Sequence, residues 1–275
     1  TKETGGNVEV LLVEPFPNFS ELWIALIDAS KKPRVGSRLC FSAAVSAEVI
    51  GDMGQGRFGL KFRYPGEFED IIEQLGAPPL PPYIERQRQV RSTDRERYQT
   101  VYAKHPGSVA APTAGLHFTR EMLDDFSQQG IESVFLTLHV GPGTFRPVRE
   151  AVVERHRMEG EWYRIDAPTA EKIERAKREG RRIIAVGSTT TRALEWSARQ
   201  KGKIEAGEGI ARLYIHPGFS FRVIDGLITN FHLPGSTPLI LVAALAGLEL
   251  TRTAYQEATR LNYRFYSYGD AMVIV

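Results

Sequence analysis

The sequence has 275 residues, of which 42% are hydrophobic and 25% are charged, and its formal net charge is +2. These values are typical of an ordinary soluble globular protein with one domain or two unequal ones. The single cysteine, Cys40, excludes a disulfide framework and a zinc site made of thiolates, so we expect a reducing, cytoplasmic setting. The longest apolar run, residues 238–248, is too short to span a bilayer, and we expect no signal peptide.

The first part of the chain, residues 1–78, is predicted to form a small antiparallel β-barrel. Short segments that favour strands are separated by polar or glycine-rich turns: residues 8–13, 23–27, 39–41 and 58–62. Helical spacing follows at residues 68–75, and a run of prolines then ends this helix. We place a domain boundary at the proline run.

The second part, residues 79–275, has the pattern of an α/β domain, because strands and helices alternate along it. Strands are predicted at residues 134–140 and 182–186, and helices at 120–129, 169–178 and 191–199. Thr119 is the expected N-cap of the first of these helices, and Gly130 its C-terminal stop. The apolar run 239–245 is too long for most strands and predicts a buried helix.

Three polar runs in this second part, residues 187–192, 229–237 and 263–270, each adjoin an apolar segment. Polar clusters at the ends of buried segments are typical of a binding site at the rim of an α/β sheet. The hydroxyls of residues 188–191 either cap a helix or, with the amides of its first turn, hold a carboxylate or phosphate. Arg192 opposes the helix macrodipole, which favours an anion contact. The aromatic residues of 263–268 fit either a strand core or a nucleobase stack.

Gly141 and Gly143 follow a predicted strand, but the third glycine of a dinucleotide fingerprint is missing, so a structural turn is favoured. Three histidines lie beside loops, namely His117, His139 and His232. They lack the short spacing of a metal site, so no metal is expected. A single histidine beside a loop is more often a hydrogen-bonded structural residue, but three of them favour proton transfer near neutral pH by at least one. Basic clusters at residues 85–97 and 172–182 fit a nucleic-acid backbone or, more simply, solvated surfaces.

Several long motifs together resemble one enzyme family, the S-adenosylmethionine:tRNA ribosyltransferase-isomerases of queuosine biosynthesis. The resemblance spans essentially the whole chain and rests on five segments in the family's order, residues 98–102, 111–119, 137–148, 229–234 and 263–272. It implies a monomeric mixed α/β domain that carries a smaller β-barrel. Members of the family also have an N-terminal segment before the barrel, so we expect that an N-terminal piece of the larger domain lies outside this sequence.

The resemblance implies a reaction on tRNA. The ribosyl part of S-adenosylmethionine is transferred to 7-aminomethyl-7-deazaguanine at the wobble position and isomerised to an epoxycyclopentanediol, with release of adenine and methionine. S-adenosylmethionine is then a consumed substrate, and no metal or redox cofactor is implied. Two rival hypotheses remain open, a tRNA-binding protein without catalysis and a methyltransferase that uses Gly141 and Gly143.

This chemistry suggests roles for individual residues. A base must remove the acidic proton beside the sulfonium, and adenine leaves more easily when protonated, so the three histidines His117, His139 and His232 are the acid–base candidates. The ribose hydroxyls and the methionine end are expected to contact polar side chains of Thr113, Thr144, Ser188, Thr190, Thr229 and Asn230. An arginine, Arg146, Arg192 or Arg264, is expected to pair with the methionine carboxylate, and Asp270 with an amine.

Overall fold

The computed structural model describes residues 1–2, 5–80, 84, 94–141 and 148–275. Within this part the chain divides into two compact units after Leu80. Two predicted site residues, Thr144 and Arg146, lie outside the described residues, as does most of the basic cluster at 85–97.

The first unit is a five-stranded antiparallel sheet in the order β1-β2-β5-β4-β3. Its strands are β1 (Glu9–Phe16), β2 (Phe19–Asp28), β3 (Arg38–Cys40), β4 (Ser46–Gly54) and β5 (Arg57–Arg63). A two-residue turn with positive φ at Gln55 and Gly56 joins β4 to β5, as the right-handed twist of a hairpin requires. Each segment predicted as a strand overlaps one of these strands, and closure into a barrel stays a prediction.

One face of this sheet is covered by helix α1 (Phe68–Leu75). Phe68 is buried and its ring packs within 5.3 Å of the rings of Trp23, Phe62 and Tyr64. The inward side chains of the strands, such as Phe58, are also buried. The unit therefore has a hydrophobic core of its own.

The second unit contains two three-stranded sheets with different strand orders. The first is β6 (Thr137–His139), β7 (Glu161–Ile165) and β9 (Gly207–Ala211), all antiparallel. The second has the order β11-β10-β8, where β8 (Ile184–Val186) and β10 (Gly226–Asn230) are parallel and β11 (Ala271–Ile274) is antiparallel to β10. Strands and helices are therefore mixed in one unit, in agreement with the predicted α/β class.

The helices given by the described part of this unit are α2 (Asp94–Arg97), α3 (Arg120–Gln128), α4 (Ala167–Arg178), α5 (Ser188–Lys201), α6 (Thr237–Ala246) and α7 (Leu248–Arg260). Short 3₁₀ helices lie at Thr113–His117 and Val153–Arg155. Side chains from both sheets and from α4, α5 and α6 share one core, which includes Ile165, Leu194, Leu227 and Leu241. The apolar run at 239–245 forms a packed helix, as predicted.

Local signals located some helix ends correctly. Thr119 accepts a hydrogen bond from the Met122 amide at the start of α3, and Gly130 has the left-handed backbone expected after its end. In contrast, α5 begins at Ser188, three residues before the predicted start. Gly187 turns the chain with a φ of 92° and occupies the N-cap position, so the hydroxyls that follow lie inside the first turn instead of capping it.

Two further segments differ from the predictions. The strand predicted at 134–140 contains regular pairing only at Thr137–His139. Residues 263–270 form a loop in which Tyr266 has a φ of 74°, so they are not strand core. Among the described residues, no single helix has the length and apolar composition needed to cross a bilayer. Helices α6 and α7 meet these two requirements only when they are taken together, and the pair is bent by 118°.

Candidate functional site

The three polar runs meet at one edge of the β11-β10-β8 sheet. The parallel strands β8 and β10 both end at this edge, the first leading into Gly187 and the second into Phe231. Because β11 is antiparallel, its first residue pairs with Asn230, which brings Asp270 to the same edge. The Gly187 amide donates to the Ile228 carbonyl at 2.8 Å and holds the two strand ends together. The carboxyl edge of parallel strands is where ligands bind in open α/β sheets.

A hydrogen-bonded network at this edge joins Thr113, Asn230 and His117. The Thr113 hydroxyl donates to Asn230 Oδ1 at 3.2 Å, and Asn230 Nδ2 lies 2.9 Å from His117 Nε2. With its oxygen occupied by Thr113, the amide donates to Nε2, which must then be unprotonated. Asn230 is only 1% exposed, so its conformation is fixed by these two bonds and by its strand. Three of the predicted site residues are thus in direct contact.

The 3₁₀ helix Thr113–His117 is held in place by a close approach at Gly115. A side-chain carbon at this position would lie 2.0 Å from the Tyr102 hydroxyl and 2.8 Å from Thr100 Cγ2. The Tyr102 ring packs against Phe135 with 5.0 Å between centroids, and burial raises the pKa of Tyr102 to about 12. Only glycine fits this contact, so residue 115 couples Tyr102 to the position of His117.

The electrostatic surroundings keep His117 neutral. Burial is the main cause of its lowered pKa; Arg264 lowers the pKa further, whereas Asp270 raises it. Arg264 and Asp270 form an exposed ion pair of 2.9 Å that closes their loop, and the Arg264 guanidinium lowers the pKa of Asp270. The two predicted anchors for methionine and amine groups therefore pair with each other here, beside His117.

A second histidine of the edge, His232, bonds to Thr229. Its Nε2 lies 2.8 Å from the Thr229 hydroxyl, and its backbone amide donates to the Tyr255 hydroxyl at 2.9 Å. Burial lowers the pKa of His232 to about 4 and raises that of Tyr255 to about 12. The neighbouring Phe231 ring packs against the rings of Tyr255, Tyr263 and Phe265. This aromatic packing fixes the loop that carries His232.

Arg192 contacts an anion, as its position in the first turn predicted, but that anion belongs to the protein. Its guanidinium lies 2.6 Å from Glu161 Oε2 and also donates to the carbonyls of Leu213, Glu159 and Ala211. Both side chains of the ion pair are buried, at 3% and 6% exposed. Four of the five N–H donors of Arg192 are engaged within the protein, so its structural role is to tie α5 to β7 and β9.

His139 lies in a different environment. It stands on β6 opposite Trp162, with 4.5 Å between ring centroids, on the face of the sheet away from the buried Tyr163. Gly107 passes against its ring, and burial lowers its pKa. Its Nε2 has no hydrogen-bond partner among the described residues. No described hydrogen bond or ring contact joins it to the His117 network, and its catalytic role stays a prediction.

Ser188 and Thr190 lie in the first turn of α5, half-buried, at the edge where β8 ends.

Sequence reasoning did not identify Tyr102, Tyr255 or Glu161, which position Gly115, His232 and Arg192. Each of these partners is more than ten residues away along the chain, so no local spacing marks them. Among the described residues, no group of three His, Cys, Asp or Glu side chains is arranged to hold a metal ion.

Comparison with known proteins identifies the family. The family model described as queuosine biosynthesis protein matches residues 1–274. An S-adenosylmethionine:tRNA ribosyltransferase-isomerase of Carboxydothermus hydrogenoformans is 51% identical over 275 residues, which cover the whole chain and 79% of that relative. The chain belongs to the S-adenosylmethionine:tRNA ribosyltransferase-isomerase family. The resemblance seen in the sequence motifs is thereby confirmed.

Other ribosyltransferase-isomerases are similarly close. That of Geotalea uraniireducens is 50% identical over 99% of this chain and 79% of its own length, and that of Syntrophotalea carbinolica is 48% identical over the same share of its length. A crystal structure of the S-adenosylmethionine tRNA ribosyltransferase of Thermotoga maritima aligns with a TM-score of 0.49 and 32% identity, covering all of this chain and 77% of that one.

Proposed function

We propose that this protein transfers the ribosyl part of S-adenosylmethionine to 7-aminomethyl-7-deazaguanine at the wobble position of a tRNA and isomerises it to the epoxycyclopentanediol of epoxyqueuosine. Adenine and methionine leave, S-adenosylmethionine is consumed as a substrate, and the reaction uses no metal or redox cofactor. The protein acts as a cytoplasmic monomer. Within the family, the observation that supports this function is the neutral His117 bonded to buried Asn230 at the carboxyl edge of the sheet.

The first chemical step is assigned to His117. A base takes the proton from the carbon beside the sulfonium, the C–H electron pair stays on that carbon as an ylide, and the glycosidic bond then breaks with its electrons on adenine. A base must be unprotonated at the working pH, and burial gives His117 a lowered pKa. Asn230 and Thr113 fix the ring through Nε2. In this neutral tautomer Nδ1 carries the ring proton, so Nε2 is the nitrogen that accepts the proton from the ligand, in exchange for its bond from Asn230.

The second histidine is assigned a positioning role. His232 is held by Thr229 and by Tyr255, and its pKa of about 4 keeps it neutral throughout the physiological range. A neutral imidazole fixes the direction of the Thr229 hydroxyl, which is then able to bond a ribose oxygen. Arg264 and Asp270, which form an exposed ion pair beside His117, are assigned to the polar ends of the two substrates.

The decisive experiment is chromatography of the products formed from S-adenosylmethionine and tRNA that carries the 7-aminomethyl-7-deazaguanine precursor. The proposed function predicts adenine and methionine in equal amounts. S-adenosylhomocysteine would instead identify a methyltransferase, and tRNA binding with intact S-adenosylmethionine would identify a non-catalytic tRNA-binding protein. Either result would overturn the proposal.

The assignment of the histidines is tested by the rate of adenine release in His117→Ala, His139→Ala and His232→Ala. We expect the largest loss, about 10²-fold or more, for His117, because general base catalysis contributes about 10²- to 10⁴-fold. Near-normal rates in all three variants would contradict the acid–base assignment. Thermal unfolding of each variant separates loss of catalysis from loss of folding.

A further inference from the structure

A groove outside the candidate site opens on the five-stranded sheet of the first unit. It has a volume of about 650 Å³, within the range of about 300–1,000 Å³ that is common for ligand sites. Its walls come from β3, the start of β4, the end of β5 and the turns beside them. Six side chains give it polar or sulfur atoms, namely Arg38, Cys40, Ser42, Ser46, Arg63 and Tyr64. We call this cavity the arginine groove.

The strand register places the two arginines on either side of Ser46. Ser46 pairs with Cys40 on β3 and with Arg63 on β5, so these three side chains point to the same face of the sheet. Arg38, two positions before Cys40, lies on that face as well and donates to the Ser46 hydroxyl at 3.3 Å. Phe62, the residue before Arg63, points the opposite way into the hydrophobic core. The arginine groove therefore lies on the outer face of the sheet.

Both arginines of the groove have donors available for a ligand. Arg38 is exposed, and its hydrogen bond to Ser46 is the one polar contact of its side chain among the described residues. Arg63 lies 3.7 Å from a carboxylate oxygen of Glu48, with side chains 70% and 44% exposed. An exposed pair at this distance is weak, so an anion of a partner is able to replace Glu48. Among the described residues that line the groove, none carries a carboxylate.

The charges of the first unit are unevenly distributed. Exposed cations lie in the connection that leads from β2 into β3, at Lys31, Lys32 and Arg34. Acidic side chains are concentrated on β1 and β2, towards the other edge of the sheet, at Glu9, Glu14, Glu21 and Asp28. Three more are on α1, which covers the core face, at Glu69, Asp70 and Glu73. This separation favours a positive potential at the arginine groove.

The lining of the arginine groove fits a chain of phosphates. Guanidinium groups bind phosphate through two parallel N–H···O bonds, and serine hydroxyls also contact nucleic-acid phosphates. The Ser42 hydroxyl accepts from the amides of Ala44 and Val45, which fixes the turn and leaves its hydrogen free for an acceptor. Small ligands are mostly enclosed by their sites, whereas exposed arginines admit a chain that continues past the groove. A backbone of this kind belongs to RNA.

We propose that the arginine groove binds the sugar–phosphate backbone of the tRNA substrate. Arg38 and Arg63 contact phosphate oxygens, and Ser42 donates to an oxygen of the same backbone. This inference rests on the proposed function, since it names the surface that holds the RNA to which the ribosyl group is transferred. Backbone contacts carry no sequence information, so the groove contributes to affinity and not to the choice of base.

The test measures equilibrium binding of precursor-bearing tRNA by fluorescence anisotropy over a series of salt concentrations. Arg38→Gln and Arg63→Gln are each expected to raise Kd for tRNA about three- to tenfold and to lower the salt-dependence slope by about 1, because each loses one phosphate contact. The Kd of S-adenosylmethionine should not change. Arg252→Gln is the matched control, since it removes an exposed arginine that lies 3.4 Å from Glu249 and outside the groove. Its Kd for tRNA should match the wild type, and thermal unfolding checks that each variant is folded.

A second variant tests the groove without changing its charge. Ala43 is exposed and lines the groove, so Ala43→Trp fills part of it and should weaken tRNA binding as much as either arginine variant. Wild-type Kd values for tRNA in both arginine variants would overturn the inference. So would an equal loss in Arg252→Gln, or wild-type binding by Ala43→Trp, because either result assigns the effect to net charge.

Calorimetry with inorganic phosphate distinguishes RNA from a free anion. Saturable phosphate binding that is lost in Arg38→Gln, with tRNA binding unchanged, would assign the groove to free phosphate and overturn the inference. If the wild type releases no adenine but both arginine variants bind tRNA more weakly than the control, the proposed function fails and the groove assignment stands. If the wild type releases adenine and all variants bind tRNA equally, only the groove assignment fails.

Discussion

Gly115→Ala is the substitution whose effect on the candidate site follows most directly from the structure. The added carbon would lie 2.0 Å from the Tyr102 hydroxyl oxygen, so either that oxygen or the 3₁₀ helix must move by about 1.4 Å to reach ordinary contact. The Tyr102 ring packs against Phe135, which opposes its movement on that side. A comparable shift of the helix would break the 2.9 Å contact between Asn230 and His117.

The expected cost of this overpacking is about 1–3 kcal/mol of unfolding free energy, measurable by urea denaturation. The rate of adenine release should fall about 10²-fold, because a displacement of about 1 Å at a catalytic group has an effect of this size. Combining Tyr102→Phe with Gly115→Ala in a double variant removes the closest atom, the Tyr102 hydroxyl oxygen, and should restore part of the lost rate. Gly51→Ala is the control, since nothing lies within 4 Å of its added carbon. Wild-type stability and rate in Gly115→Ala would refute the reasoning.

Three further predictions concern charged or hydrogen-bonded groups. Because the folded pKa of His232 is about 4 and its unfolded pKa about 6.5, its contribution to stability is full above pH 6.5 and is lost as pH falls towards 4. This contribution is at most about 3 kcal/mol, and urea denaturation from pH 4 to 7.5 should show a shallower pH dependence in His232→Gln. Glu161→Gln leaves the buried Arg192 charge without its counter-ion and should destabilise the protein by about 3–5 kcal/mol; a loss below about 1 kcal/mol would contradict this. Asn230→Ala removes the contact that fixes His117 and should lower the rate of adenine release at least tenfold. A wild-type rate in this variant would contradict the positioning role of Asn230.

The sequence by itself determined the features that have local causes. Thr119 precedes a helix because its hydroxyl accepts from an amide three residues ahead, and the apolar run at 239–245 forms a helix because its length and composition favour one. The three polar runs were also visible as candidate site segments, since each adjoins an apolar segment. The family was recognisable from long motifs in a fixed order.

Only the tertiary structure decided which side chains meet. Asn230 contacts His117 from 113 positions away, and Arg192 finds its counter-ion 31 positions away at Glu161. Such contacts depend on the order and direction of the strands, which local propensity does not encode. The sequence favoured an anion contact for Arg192 but could not distinguish a carboxylate of the substrate from one on β7. The difference lies in the antiparallel sheet that carries Glu161 to α5, where both charges are buried together.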